Sequence, residues 1–137
     1  MSDMSDYLEA KMLNATLRGT NFTAPAVADL HMALFTADPT DANATVNEVS
    51  AAWYNRKPTG TWTSPSDAGD GSTESTNTAA VTFDSVADAS VTVTHIGIYD
   101  AATAGNLLYL TALDAPKTLD IGDVISFATG AVAVQLD

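Results

Sequence analysis

Hydrophobic and polar positions divide the chain into one helical stretch near its start and a succession of alternating stretches after it. Between residues 6 and 18, Leu8, Met12 and Ala15 recur at spacings of four and three, and Leu13 and Leu17 follow on an adjacent face. That period predicts an amphipathic helix whose apolar stripe is broad enough to dock on a sheet or on a neighbouring subunit. Asp6 is placed to cap it, with Glu9 three residues on. Gly19 supplies the left-handed residue that closes a helix, and Pro25 blocks any continuation.

From Leu30 the period changes to two. Leu30, Met32 and Leu34 point one way, His31, Ala33 and Phe35 the other, which predicts a strand. Residues 38–41, Asp-Pro-Thr-Asp, make a turn, because Pro presets φ and Asp bonds back to its own backbone. Residues 42–50 read as a polar loop, 53–57 as a short amphipathic strand, and Trp62 as an isolated anchor. Residues 64–78 are rich in hydroxyls, acids and glycine, and predict an exposed, flexible loop. Further strands are predicted over 80–83, 91–99, 107–113, 124–128 and 131–136, with turns at Pro116-Lys117 and over 121–123. The clearest pairing signal lies between residues 93 and 113, where two apolar runs flank a connector over residues 100–105 that ends in Gly105. Nothing in that hairpin looks like catalytic chemistry. Many short strands after one helix predict a single domain over 1–137: mainly β, an antiparallel β-sandwich of jelly-roll-like or Greek-key type with one N-terminal α-helix.

Composition narrows the function. At 137 residues and 46% hydrophobic content the chain is long enough to bury a core, and with no cysteine it has neither disulfides nor thiolate metal ligands. Seventeen acidic against five basic residues leave a formal charge of −12, which repels phosphate and sets aside nucleic acid and anionic membranes as partners. No apolar run reaches membrane-spanning length, and the acidic start has no signal-peptide pattern, so synthesis in the cytoplasm is expected.

Catalytic patterns are weak. His31 and His95 are the two histidines, no G-x-S-x-G elbow accompanies them, and His95 reads as a half-buried strand residue rather than a base. Asp67, Asp70 and Glu74 alternate with Gly69 and Gly71, raw material for calcium, but their order is not that of an EF-hand, and a solvated loop is the expectation. Glu48 and Asp67 with Trp53, Tyr54 and Trp62 raise the idea of a glycoside hydrolase, yet the two acids sit in polar sequence with no sign of burial. Neither a metal site nor a cofactor is predicted, and the aromatics read as anchors of a core or an interface.

Taken in order, Tyr7-Leu8 through Leu17-Arg18-Gly19-Thr20, then Ala33 to Pro39, Glu48-Val49-Ser50, Tyr54-Asn55-Arg56, Asn77 to Phe83, Val93 to Ala102 and Gly105 to Tyr109 carry a resemblance. The chain resembles a family of small tailed-phage virion proteins, described as tail-fibre-like or minor structural proteins, over nearly its whole length. The His95-Ile96-Gly97-Ile98-Tyr99-Asp100 block is the most specific part. The stretch from Asp67 to Ser75 is longer and more acidic than the family pattern, and nothing is carried over to it.

The resemblance implies a non-enzymatic building block located in the virion. Together with the compact domain it leads to the expectation of a capsid decoration, or cement, protein that binds and stabilises the assembled head shell, commonly as a trimer, with the major capsid protein or other virion proteins as partners. The alternative is a tail or head fibre component, with a host-surface glycan bound at a platform made by Trp53 and Trp62. A small hydrolase remains a third class. The interface candidates are Tyr7, Leu8 and Met12 on the helix and Trp53, Tyr54 and Trp62 beyond it, with Phe35 as an anchor or core residue.

Overall fold

A computed structural model describes residues 3–137. Its strands are β1 (Asp3–Met4), β2 (His31–Phe35), β3 (Lys57–Pro58), β4 (Ser66–Asp67), β5 (Thr73–Thr76), β6 (Val81–Thr82), β7 (Val91–Tyr99), β8 (Leu107–Leu119), β9 (Ser126–Phe127) and β10 (Ala133–Leu136). One α-helix, α1 (Asp6–Arg18), follows β1. The strands form a five-stranded sheet in the order β1-β8-β7-β2-β3, a three-stranded sheet β10-β5-β4 and a pair β6-β9. Pairing among the described residues is antiparallel throughout. The protein is thus mainly β with a single N-terminal helix, as the alternation predicts.

Strand β2 shows why the layers assemble. Its alternation sends Met32 and Leu34 into a core shared with Val93, Ile96, Val81 and Val132, while Ala33 and Phe35 face a second cluster with Tyr99, Leu107 and Leu110. The first cluster joins the five-stranded sheet to the smaller ones; the second occupies the opposite face of the same sheet. A strand buried on both faces reads as a continuous apolar run. Met32, Leu34 and Phe35 are fully buried, and burial of each such side chain contributes about 1.5–3 kcal/mol before entropy is counted.

The helix spans the expected residues, but its cap is Ser5 and not Asp6. Ser5 holds the extended conformation of a cap, its Oγ accepts from Leu8 N at 3.3 Å, and Asp6 falls in the first turn. Ser5 is itself buried, and its hydroxyl donates to the Leu107 carbonyl while its N–H donates to Leu108 O at 2.9 Å. That tie sets the start of α1 against β8. At the other end Gly19 closes the helix at φ 65°, and Thr20 N–H reaches Asn14 O at 3.1 Å.

Four further expectations are corrected. The strand expected over 53–57 reduces to Lys57–Pro58, because Trp53 turns into the core and Tyr54 N–H closes a turn onto Ala51 O at 3.1 Å. The loop expected over 64–78 contains β4 and β5, with β5 paired along its length to β10. Polar composition misleads there because backbone pairing, and not burial of apolar side chains, holds the strand. Pro116-Lys117 does not end a strand: β8 runs on to Leu119, and the register jumps from Val93↔Lys117 to His95↔Ala112, so Asp114, Ala115 and Pro116 lie in a wide bulge. A bulge is where a strand tolerates proline. Finally, Glu48 is not in solvated surroundings; its side chain is 14% exposed.

Candidate functional site

The sequence blocks scattered between residues 48 and 106 converge on one side chain, Arg56. Its Nε donates to Glu48 Oε1 at 2.8 Å and its Nη2 to Glu48 Oε2 at 2.7 Å, a two-pronged fork. Its Nη1 donates to the Ala101 and Ala104 carbonyls at 3.2 and 2.7 Å. The guanidinium lies 3.4 Å from the centre of the Tyr99 ring. With 7% of its side chain exposed, a cation in this position costs desolvation free energy unless its donors are met, and the fork together with two carbonyls meets them.

Tyr54 completes the cluster. Its hydroxyl donates to Glu48 Oε1 at 2.8 Å and accepts from Leu34 N–H at 3.1 Å, and its ring stacks on Phe83 at 6.1 Å between centroids. Burial lifts the Tyr54 pKa far above the ordinary phenol range; the Leu34 bond opposes this and the Glu48 charge adds to it. Burial likewise pushes Tyr99 up to about 12, with the Arg56 charge opposing. Burial alone lowers the Arg56 pKa, but its bonds to Glu48, the Glu48 charge and the two tyrosines outweigh that and raise it. At neutral pH the cluster is therefore a carboxylate matched by a guanidinium between two neutral phenols. It has the chemistry of a clamp: it ties the hairpin tip after β7 to the segment between β2 and β3.

The hairpin tip is shaped to receive it. Asp100 Oδ1 accepts from Asn106 N–H at 2.6 Å and Oδ2 from Asn106 Nδ2 at 2.8 Å, while Ala104 and Gly105 turn the chain at φ 52° and 71°. A second buried polar centre, Asn77, joins the C-terminal strands. Its Nδ2 donates to Ala79 O and Ala128 O at 2.7 and 2.9 Å, and its Oδ1 accepts from Val132 N–H at 3.0 Å. The residue pattern flagged neither Arg56 nor Asn77 as structural. The available signal was a cation beside Trp53-Tyr54, since a charge next to large apolar residues needs a partner.

The histidines do not come together. His31 pairs with Tyr99 and His95 with Phe35, at opposite ends of the β2–β7 ladder, about 13 Å apart along the strands. Nδ1 of His31 lies 2.8 Å from Asp29 O, and Nδ1 of His95 lies 2.8 Å from Thr94 Oγ1. The acids of the 64–78 segment serve its own backbone and neighbour strand. Asp67 accepts from Gly69 N–H at 2.7 Å, Asp70 from Ser72 N–H and Oγ at 3.0 and 2.6 Å, and Glu74 from Gln135 at 3.1 Å.

The interface candidates divide by exposure. Leu8, Trp53 and Phe35 are buried in the chain's own interior, which leaves them almost no surface to offer a partner. Trp62 is half-buried against the core, its Nε1 bonded to Thr59 Oγ1 at 3.1 Å, so Trp53 and Trp62 form no open stacking platform. Tyr54 belongs to the Arg56 clamp. Tyr7 and Met12 are half-buried, and the exposed apolar side chains of the helix are Leu13 and Leu17.

A family model described as Gp80, podophage GP4 fiber I protein gp80, matches residues 3–135. The chain belongs to this family. It is accordingly a phage virion structural protein of a fibre family, and the resemblance read from the sequence blocks is correct at that level. No curated protein matches the chain. For this fibre-family protein the convergence of the blocks on Arg56 has a plain physical meaning: they encode the clamp that holds the hairpin. No helix among the described residues is long and apolar enough to cross a membrane.

Proposed function

We propose that the protein is a non-enzymatic subunit of the phage fibre apparatus, acting through contacts with a second copy and with other virion proteins, and that the fibre reading takes precedence over capsid decoration. The observation that carries this is the match to the fiber I protein family across residues 3–135. The polar centres support it, because Glu48, Arg56, Tyr54 and Asn77 all bond within the chain and hold loops in place. A chemistry of holding is what a virion component needs. The test is electron cryomicroscopy of purified particles carrying a small tag inserted at Gly71, an exposed position between β4 and β5. Extra density confined to fibres at the tail is the expected result. Tag density repeated over the head shell would reject the fibre assignment and restore the cement reading.

A further inference from the structure

The outer strand of a sheet offers unpaired N–H and C=O groups to any extended chain that meets it. Among the described residues the outer strands β1, β3 and β4 are two residues long, with Pro58 in β3, and β10 is four. Strand β8 is the exception. β1 and Ser5 cover its outer side only from Leu108 to Leu110, and no described strand pairs with that side from Ala112 to Leu119. Residues 114–118 are exposed.

The sequence leading into that stretch makes an open edge hazardous. Residues 107–113, Leu-Leu-Tyr-Leu-Thr-Ala-Leu, hold no charge, proline or glycine, the signature of segments that stack strand on strand. Leu107, Leu108 and Leu110 are buried in this fold, but the strand runs straight on into its uncovered part. A bare edge there would meet its own kind: β8 of one copy against β8 of another, antiparallel about a two-fold axis, continuing the five-stranded sheet across both copies. Three features stand in the way. Between the pairs Val93↔Lys117 and His95↔Ala112 lie one residue of β7 and four of β8, so three surplus residues bend the edge out of line. Pro116 has no N–H to give a ladder. Asp114 and Lys117 set charges of both signs on the edge, and pairing would have to desolvate them. Among the described residues neither charge takes part in an ion pair, so the chain's own interior does not account for them.

We infer that the bulge, Pro116 and the charges of Asp114 and Lys117 guard the outer edge of β8, and that the contact they prevent is edge-to-edge pairing with β8 of a second copy. Charged residues and proline placed directly after an apolar strand segment are the usual means of keeping such a segment from aggregating. The guard keeps the chain a separate subunit at this edge and leaves its other surfaces to the contacts of the particle. It is argued from this chain alone and holds whichever part of the virion the chain joins.

Sedimentation velocity of the purified full-length chain over a concentration series tests it with two variants. The first combines Asp114→Thr, Pro116→Val and Lys117→Thr. It exchanges exposed side chains, restores an N–H at position 116 and is expected to keep the wild-type circular dichroism spectrum. The second deletes residues 114–116, which places Leu113 next to Lys117 and makes the β7–β8 register continuous. Each variant is expected to associate at a concentration about tenfold or more below any at which the wild-type chain does. Hydrogen exchange locates the contact: the backbone amides between Ala112 and Leu119 should gain protection as the variants associate. If the deletion does not fold, the substituted chain decides alone. A substituted chain that associates no more than wild type, or that associates without protecting those amides, would overturn the inference. So would a wild-type chain that already pairs through them. None of these outcomes touches the particle-labelling result, so the guard and the fibre assignment fail separately.

Discussion

Gly97 lies beneath the ring of Phe35. It pairs with Ala33 across the β2–β7 ladder, and a β-carbon at Gly97 would come within 2.9 Å of Phe35 Cε2 and 2.7 Å of Leu107 Cδ1. Both neighbours are buried, so neither has room to retreat. Gly97→Ala is expected to destabilise the fold by about 1–3 kcal/mol, the usual cost of an overfilled core, and Gly97→Val by more. Urea unfolding reads this as a lower midpoint at unchanged slope. A Gly97→Ala midpoint equal to wild type would show that the ring has space the structure does not give it.

The Glu48–Arg56 fork gives a second expectation. Arg56→Ala leaves a buried carboxylate unmatched and two hairpin carbonyls without donors. Removing one partner of a buried pair costs about 3–5 kcal/mol. Arg56→Lys keeps the charge but not the planar fork, and is expected to recover only part of that loss. Chemical denaturation of the three proteins orders them wild type, Arg56→Lys, Arg56→Ala. If Arg56→Lys matched wild type, charge alone would account for the clamp.

These two sites mark what sequence makes legible. Strand β2, the hairpin and α1 follow from short-range periods, because each period is written in consecutive residues such as Met32, Leu34 and Leu8, Met12. The Glu48–Arg56 pair is eight residues apart, but its other partners, Tyr99 and Ala104, come from a hairpin more than forty residues away, and no local pattern announces that meeting. The strand at Thr73–Thr76 escapes for a related reason. Its hydroxyls and acid resemble a loop, and the pairing along its whole length with Ala133–Leu136, some sixty residues later, makes it a strand. Ser5 is missed as a cap because Asp6 stands beside it with equally good chemistry, and the choice is made by the Leu107 carbonyl that takes the Ser5 hydroxyl.

Asn77 carries the C-terminal strands. Asn77→Ala strands the Val132 N–H and takes away the side-chain donor to Ala79 O and Ala128 O, in a region where Val132 is buried. Each polar group left unmatched costs about 1–3 kcal/mol. Hydrogen exchange should show the loss as faster exchange of the Val132 amide and of the β5–β10 ladder, with exchange in the β2–β7 ladder unchanged. Uniform loss of protection across both sheets would mean that Asn77 supports the whole fold and not this corner.

Alkaline pH should unfold the protein through its phenols. Tyr99 holds its proton up to about 12 in the fold, against 10.0 when free of it. Below pH 10 both states are protonated and the contribution is whole. As pH rises through 10 the unfolded chain releases the proton first, so stability falls until the folded residue also ionises near 12. Tyr54 and Tyr109, both raised chiefly by burial, act in the same direction. The denaturation midpoint is therefore expected to hold steady to about pH 9.5 and then decline steeply toward 12. Tyr99→Phe lowers stability at neutral pH, because Asn43 loses the hydroxyl that bonds to it, but it flattens the alkaline decline. Midpoints measured from pH 8 to 12 decide the matter by slope and not by height. Parallel curves for wild type and Tyr99→Phe would place the alkaline sensitivity elsewhere.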